Sequence, residues 1–310
     1  MLRFGAVALV ALALSAPARA ARVGVLSDAF AATTAANLAT QVPANTFTGI
    51  DVSQSVPTLD SLLANFDVVL LFEDGVFQNS TMVGNAVAQF ANAGRAVVLA
   101  TFYDQDRSDA IGSSTIPHGW GALETLDPDT SDGVGTAYAV RTLNASSIVS
   151  HPLTVGVTAL AALRGSPGPY AGGNQAKPGT FVVATWAQPN ARSLPDPAIA
   201  YRITGKACVI QIGIAADYPV LAAFNNYGTD FSGNYYQVWA NAFAFGASGC
   251  VVQNEPGDPA QIQQGWPNRA SLDYWRSGFA FAITLDGTSI QGGFGPALVL
   301  HTHPDGTITT

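Results

Sequence analysis

The sequence predicts an α/β protein with a flavodoxin-like, mostly parallel sheet flanked by helices and extended at one edge by antiparallel strands. Three observations carry that expectation. Residues 66–102 read as strand, loop, helix and strand in one unbroken pass. Within them, DVVLLF at 67–72 is a continuous apolar run, the pattern of a parallel strand covered on both faces. Later, 181–187, 198–203 and 207–214 follow in close order, and the hairpin-length turn Gly205-Lys206 joins the last two.

The elements follow in order. Residues 22–26 (RVGVL) form a short strand, with Ser27-Asp28 as the cap of an Ala-rich helix over 30–41 that has Leu38 on its apolar face. TFTGIDV at 46–52 suits a second strand, and Leu59, Leu62 and Leu63 suit a short helix. After strand 67–72, Ser80 is a good N-cap residue for a helix over 80–93. Met82, Val83, Ala86, Val87 and Phe90 recur there at helical spacing, so that face packs on the sheet. Gly94 supplies the left-handed stop, and AVVLA at 96–100 is the next strand. Residues 103–136 are polar and rich in Gly, Asp and Ser, which reads as a long surface excursion. A weak strand at 138–143, a turn and short strand at 151–157 and a Gly/Pro-rich loop at 164–179 lead into the late strands. A helix over 235–245 closes the domain.

Composition bounds the partners. Residues 1–20 have the form of an export signal: Arg3, a short apolar run from Ala6 to Leu14, and Ala18-Arg19-Ala20 as the cleavage segment. The run is shorter than the roughly 20 residues a membrane span needs. The expected domains are the signal at 1–20, an α/β domain at 21–249 and a tail or small appendage at 250–310. The expected location is periplasmic or extracellular, with no membrane span after signal removal. Losing Arg3 and Arg19 takes the formal charge from −8 to −10. No basic stripe is present, so no nucleic-acid partner is expected. Strand 207–214 starts at one end of the sheet and the closing helix runs back to it. Cys208 and Cys250 are therefore expected to pair in an oxidising compartment, two separate buried thiols being the alternative.

Asp67–Phe72, the helix with Asn92-Ala93-Gly94, Ala96–Ala100 and the segment His151-Pro152-Leu153 with Gly156-Val157 form a recognisable series. With the late strands and the closing helix, residues 22–249 resemble the class I glutamine-amidotransferase-like fold, in particular its ThuA-like (trehalose-utilisation-type) non-amidotransferase branch. Amidotransferases of that fold place a cysteine on the elbow after the strand corresponding to 96–100. This chain has Ala100-Thr101-Phe102-Tyr103 there, so the resemblance argues against amidotransferase chemistry. No G-x-S-x-G elbow replaces it.

Ligands of open α/β sheets sit beyond the C-terminal ends of the strands. Asp28, Glu73, Asp74, Thr101, Asp104 and Asp106 are therefore expected on one rim. Such carboxylates hold a hard cation or sugar hydroxyls, or are solvated loop acids. No cofactor is expected, with Ca²⁺ as the hard cation these loops could take. Asp127, Asp129 and Asp132 alternate as in a calcium loop, although the glycine is one residue late and the final glutamate is missing. His118 beside Trp120 suits either a sugar contact or a plain loop, and His151 before Pro152 suits a turn. Tyr103, Trp120 and Trp186 are candidate rim aromatics. His301-Thr302-His303-Pro304 matches part of a JAB-type metalloprotease motif, but the chain lacks room for the downstream ligands. The expected function is a non-catalytic module binding a small molecule, carbohydrate by family analogy. The alternatives are an exported hydrolase using rim carboxylates, with or without a metal, and a surface interaction protein.

Overall fold

The computed structural model describes residues 20–100, 119–130, 140–163, 171–224 and 231–250, together with four short strands between 281 and 309. The expectations for residues 1–19, 101–118 and 131–139, including Thr101, Tyr103, Asp104, Asp106, His118 and Asp132, lie outside the described residues, as does His303-Pro304.

The first half alternates β1 (Arg22–Ser27), α1 (Ala31–Gln41), β2 (Thr46–Asp51), α2 (Leu59–Asn65), β3 (Val68–Leu71), α3 (Ser80–Asn92) and β4 (Ala96–Ala100). Then come β5 (Arg141–Thr142), β6 (Leu160–Ala162), β7 (Phe181–Thr185), β8 (Pro197–Thr204), β9 (Ala207–Ile212), α4 (Tyr218–Phe224), β10 (Phe231–Gly233) and α5 (Tyr235–Ala247). The main sheet has seven strands in the order β2-β1-β3-β4-β9-β8-β7. β2, β1, β3, β4 and β9 are parallel, and β8 and β7 continue antiparallel. The parallel part is the flavodoxin-like 2-1-3-4-5 order. β9 is both the fifth parallel strand and the start of the antiparallel edge. A small antiparallel sheet, β10-β6-β5, lies beside it. In the tail, β11 (Phe281–Leu285) pairs with β12 (Thr288–Gly292), and β13 (His301–Thr302) with β14 (Ile308–Thr309).

Alternation along each parallel strand builds two cores. Val68 and Leu70, with Val98 and Ile210, join Leu38 of α1 and Val238, Trp239 and Phe243 of α5. Val69 and Leu71, with Val97 and Val209, join Leu62 of α2 and Val83, Val87 and Phe90 of α3. The sheet is thus sandwiched between helical layers, which its apolar strand runs require.

Several local expectations are corrected. The cap of α3 is Asn79, whose side chain accepts from the Met82 N–H, while Ser80 is a buried first-turn residue. Met82 points outward and is 54% exposed. α1 has no side-chain cap, and Phe30 takes a left-handed conformation before it. Residues 152–154 form a 3-10 turn instead of leading into a strand, and the strand comes later as β6. Residues 119–130, expected at the surface, fold back onto α3 and bury Trp120 and Leu123. That approach needs Gly84, because a side chain there would run into the Trp120 backbone.

The two helices that end near the base of the sheet stop in the same way. After α3, Gly94 bonds the Ala91 carbonyl and Arg95 the Phe90 carbonyl; after α5, Gly249 bonds Gly246 and Cys250 bonds Phe245. Both glycines have positive φ, 87° and 74°. This is the Schellman arrangement, which satisfies terminal carbonyls and reverses the chain. The reversal after α5 delivers Cys250 to Cys208 at the start of β9, where they form a disulfide with 6.4 Å between Cα atoms.

Two stability experiments follow from this packing. Gly84→Ala should cost on the order of 2 kcal/mol in denaturant unfolding, while Met82→Lys should stay within about 0.5 kcal/mol. Removing the 42-residue cross-link by Cys208→Ala with Cys250→Ala should cost on the order of 4 kcal/mol in the chain-entropy account. Unchanged midpoints for Gly84→Ala or the cysteine pair would show that these contacts do not hold the fold.

Candidate carboxylate site

Strand order reverses between β1 and β3, so the loops leaving them diverge and open a crevice above the sheet. Asp28 is the first residue after β1. Its Oδ1 accepts the Asp74 N–H at 3.0 Å and the Ser27 hydroxyl at 3.3 Å. The Asp28 carboxylate thereby holds down the loop that leaves β3, and Glu73, next in the chain to Asp74, is buried in that loop.

A third carboxyl arrives from the far strand. β9 runs on through Ile214, Ala215 and Ala216 to Asp217, which is fully buried. The carbonyls of Ala215 and Ala216 share the Tyr235 hydroxyl of α5, at 2.7 and 3.0 Å, which pins the loop carrying Asp217. Asp74 and Asp217 lie close enough for each to act on the other's proton affinity. Two ionised carboxylates only accept and repel each other, so the pair favours keeping a proton on one of them.

The surroundings raise proton affinity throughout the group. Burial pushes the Asp28 carboxyl up, against the opposing pull of backbone N–H bonds. Asp74 is pushed up to about 7, first by burial and then by the charge of Asp28. Asp217 is held well above the usual range by burial and then by Asp74. Burial and the neighbouring Asp217 also raise the Tyr235 phenol. The arrangement favours a retained proton beside several acceptor oxygens in a buried crevice.

Of the residues singled out from sequence, Asp28 and Asp74 are brought together. Trp120 and Trp186 are buried core residues and offer no ring to a ligand at the surface. Trp120 lies in the layer with α3, where its backbone N–H donates to Glu124 Oε1 at 2.9 Å. His151 is also buried. Its Nδ1 accepts the Leu153 N–H at 3.1 Å, and its ring stacks on Tyr201 and meets Phe245 edge-on. Phe245 lies ten residues along α5 from Tyr235, roughly 15 Å by helix rise, so His151 orders a turn far from the carboxyls. Asp127 pairs with Lys177, whose ammonium also donates to the Glu124 carbonyl at 2.6 Å. Asp129 is bridged to Ala176. Within the segment read as a calcium loop, Asp127 is therefore ion-paired, and a cation there would compete with a lysine. Among the described residues, no group of three His, Cys, Asp or Glu side chains has metal-holding geometry.

Sequence reasoning missed Asp217 and Tyr235. The signal for Asp217 was present: it stands just past the apolar run of β9, as Asp28 stands just past β1. Nothing local marks Tyr235, which becomes relevant only when α5 returns over the sheet.

These proton affinities set the pH dependence of stability. Unfolded aspartate titrates near about 3.9. Asp74 binds its proton more tightly in the folded chain, so its contribution is largest at low pH and is lost as pH rises through about 7. Asp67 behaves oppositely. Arg22 above all, with Arg95, lowers it to about 2, so its contribution is lost as pH falls below the unfolded value. The melting temperature should peak near about pH 5 and decline toward about pH 8. Asp217→Asn should flatten the alkaline decline and leave the acid one. A profile flat from about pH 5 to 8 would refute the shared-proton description.

No protein-family model matches the chain, and no curated protein does. Solved structures do. Cytoplasmic Protein STM3548 from Salmonella typhimurium is 12% identical with a TM-score of 0.48, over 75% of this chain and 100% of that one. A putative ThuA-like protein from Bacteroides uniformis is 13% identical with a TM-score of 0.45, over 74% and 93%. Agd3, described as a novel carbohydrate deacetylase, is 16% identical with a TM-score of 0.41, over 72% of this chain and 32% of that one. At these scores the likenesses carry no argument about activity, and the flavodoxin-like fold rests on the strand order itself.

Proposed function

We propose that this chain is an exported, amidotransferase-like module that binds a neutral, polyhydroxylated small molecule, carbohydrate by chemical class, in the crevice over β1 and β3. The observation that carries the reading is the convergence of Asp28, Asp74 and Asp217 at the point where strand order reverses. A carboxyl pair sharing a proton presents both a donor and acceptors, which suits hydroxyl groups. An anionic ligand would be repelled by the negative charge of these carboxyls. Thr101 in place of the nucleophilic cysteine supports binding over amidotransferase chemistry.

A second reading has its own support. A carboxyl that keeps its proton near neutral pH, as Asp74 does, is what a general acid needs. On that reading the chain is an exported hydrolase using the Asp74–Asp217 pair, with or without a metal.

A glycan and small-molecule binding screen on residues 21–310 tests both readings. Neutral glycans should bind, and Asp74→Asn should weaken binding at least about tenfold, or 1.4 kcal/mol. Turnover of a bound glycan that Asp217→Asn abolishes while binding persists would favour the hydrolase. Binding only of anions, or binding indifferent to Asp74, would overturn the assignment of this crevice. A rise in melting temperature with millimolar Ca²⁺ would establish the metal version.

A further inference from the structure

At the opposite end of the sheet a cavity of about 170 Å³ is lined by Ala20, Ala21, Asp67, Arg95, Gly246 and Gly249, among others. Ala21 is buried in the core with Val23, Leu38 and Val42. Its N–H donates to Asn45 Oδ1 at 3.1 Å, and its carbonyl accepts the Thr46 N–H at 2.9 Å. The next N–H, of Arg22, donates to Asp67 Oδ2 at 3.1 Å. β1 then runs between β2 and β3, with ladder partners on both sides. The peptide bond that Ala18-Arg19-Ala20 marks for cleavage therefore sits directly at the entrance to an interior strand.

Two consequences follow from that position. A peptidase that reads an extended segment needs the backbone groups flanking the bond it cuts. On the C-terminal side those groups belong to β1 and are already taken up by β2 and β3, so the folded sheet withholds them. Hydrolysis of the Ala20–Ala21 bond adds water, leaving a carboxylate on Ala20 and an amine on Ala21 that is protonated at neutral pH. The new ammonium retains Asn45 Oδ1 as acceptor. The charged groups around it are the Asp67 carboxylate, which Arg22 and Arg95 share, and the partial negative charge at the C-terminal end of α5.

We propose that the chain is cut between Ala20 and Ala21 before it folds, and that the freed α-ammonium of Ala21 is held in this cavity as a structural cation by Asn45 Oδ1 and the end of α5. The inference rests on the export reading and is independent of the carboxylate crevice, which lies at the other end of the sheet.

Intact mass and N-terminal sequencing of the exported protein should give a chain beginning at Ala21. A different start, or a chain retained uncut in the cell, overturns the processing step. Purified full-length precursor, once folded, should resist signal peptidase, and the same precursor held unfolded should be cut. Equal cleavage of both overturns the requirement for prior processing. Asn45→Asp decides the ammonium site by itself. It places a second carboxylate on a charged group in the chain starting at Ala21, but on a neutral amide in the precursor. The melting temperature at neutral pH should rise in the first and not in the second. An equal shift in both overturns the ammonium site, whatever the fate of the export or ligand readings.

Discussion

Val68 to Leu71 have apolar layers on both faces, and so does most of the parallel sheet around them. A sheet covered in this way can carry ionisable groups only where its strands stop. The chain obeys that constraint at both ends. Arg22, Asp67 and Arg95 gather where β1, β3 and β4 begin. Asp28, Asp74 and Asp217 gather where β1, β3 and β9 finish. The remaining architecture serves the same double coverage: α1 and α5 close one face, and α2 and α3 the other.

The two charged ends differ in physical character. At the start of the strands, each arginine is more than a third exposed and pairs with Asp67, so the attraction is screened and contributes modestly. At the finish, like charges are crowded together away from water, and repulsion is relieved only by keeping a proton. The first arrangement ties strand entries together. The second stores a cost that a ligand supplying hydrogen bonds can offset, a common property of functional sites. A separate buried pair, Arg141 with Asp196 at 3.3 Å, anchors the loop at Gly173 and Asn174 where β8 starts beside the end of β9.

How legible these features were depended on how local their causes are. The runs at β3 and β4, the periodicity of α3 and the stop at Gly94 are properties of short windows, so the flavodoxin-like order was readable. Asp28 and Asp74 were readable from the strand-end rule, and Asp217 was reachable by the same rule. Trp120 was misread because a polar neighbourhood suggests exposure, and His151 orders the expected turn but is buried. Their burial comes from distant partners: α3 with its Gly84 in one case, Tyr201 and Phe245 in the other. Asp127 looked like a metal ligand until Lys177, 50 residues later in the chain, was placed against it.

The central claim is that Asp74 and Asp217 share a proton at neutral pH. Carbon-13 NMR titration of the aspartate side-chain carboxyls tests it directly, with Asp74→Asn and Asp217→Asn for assignment. The account predicts one carboxyl titrating at about 7, a second still protonated above that, and loss of the coupling in either variant. Both carboxyls titrating in the ordinary range near about 4 would contradict it.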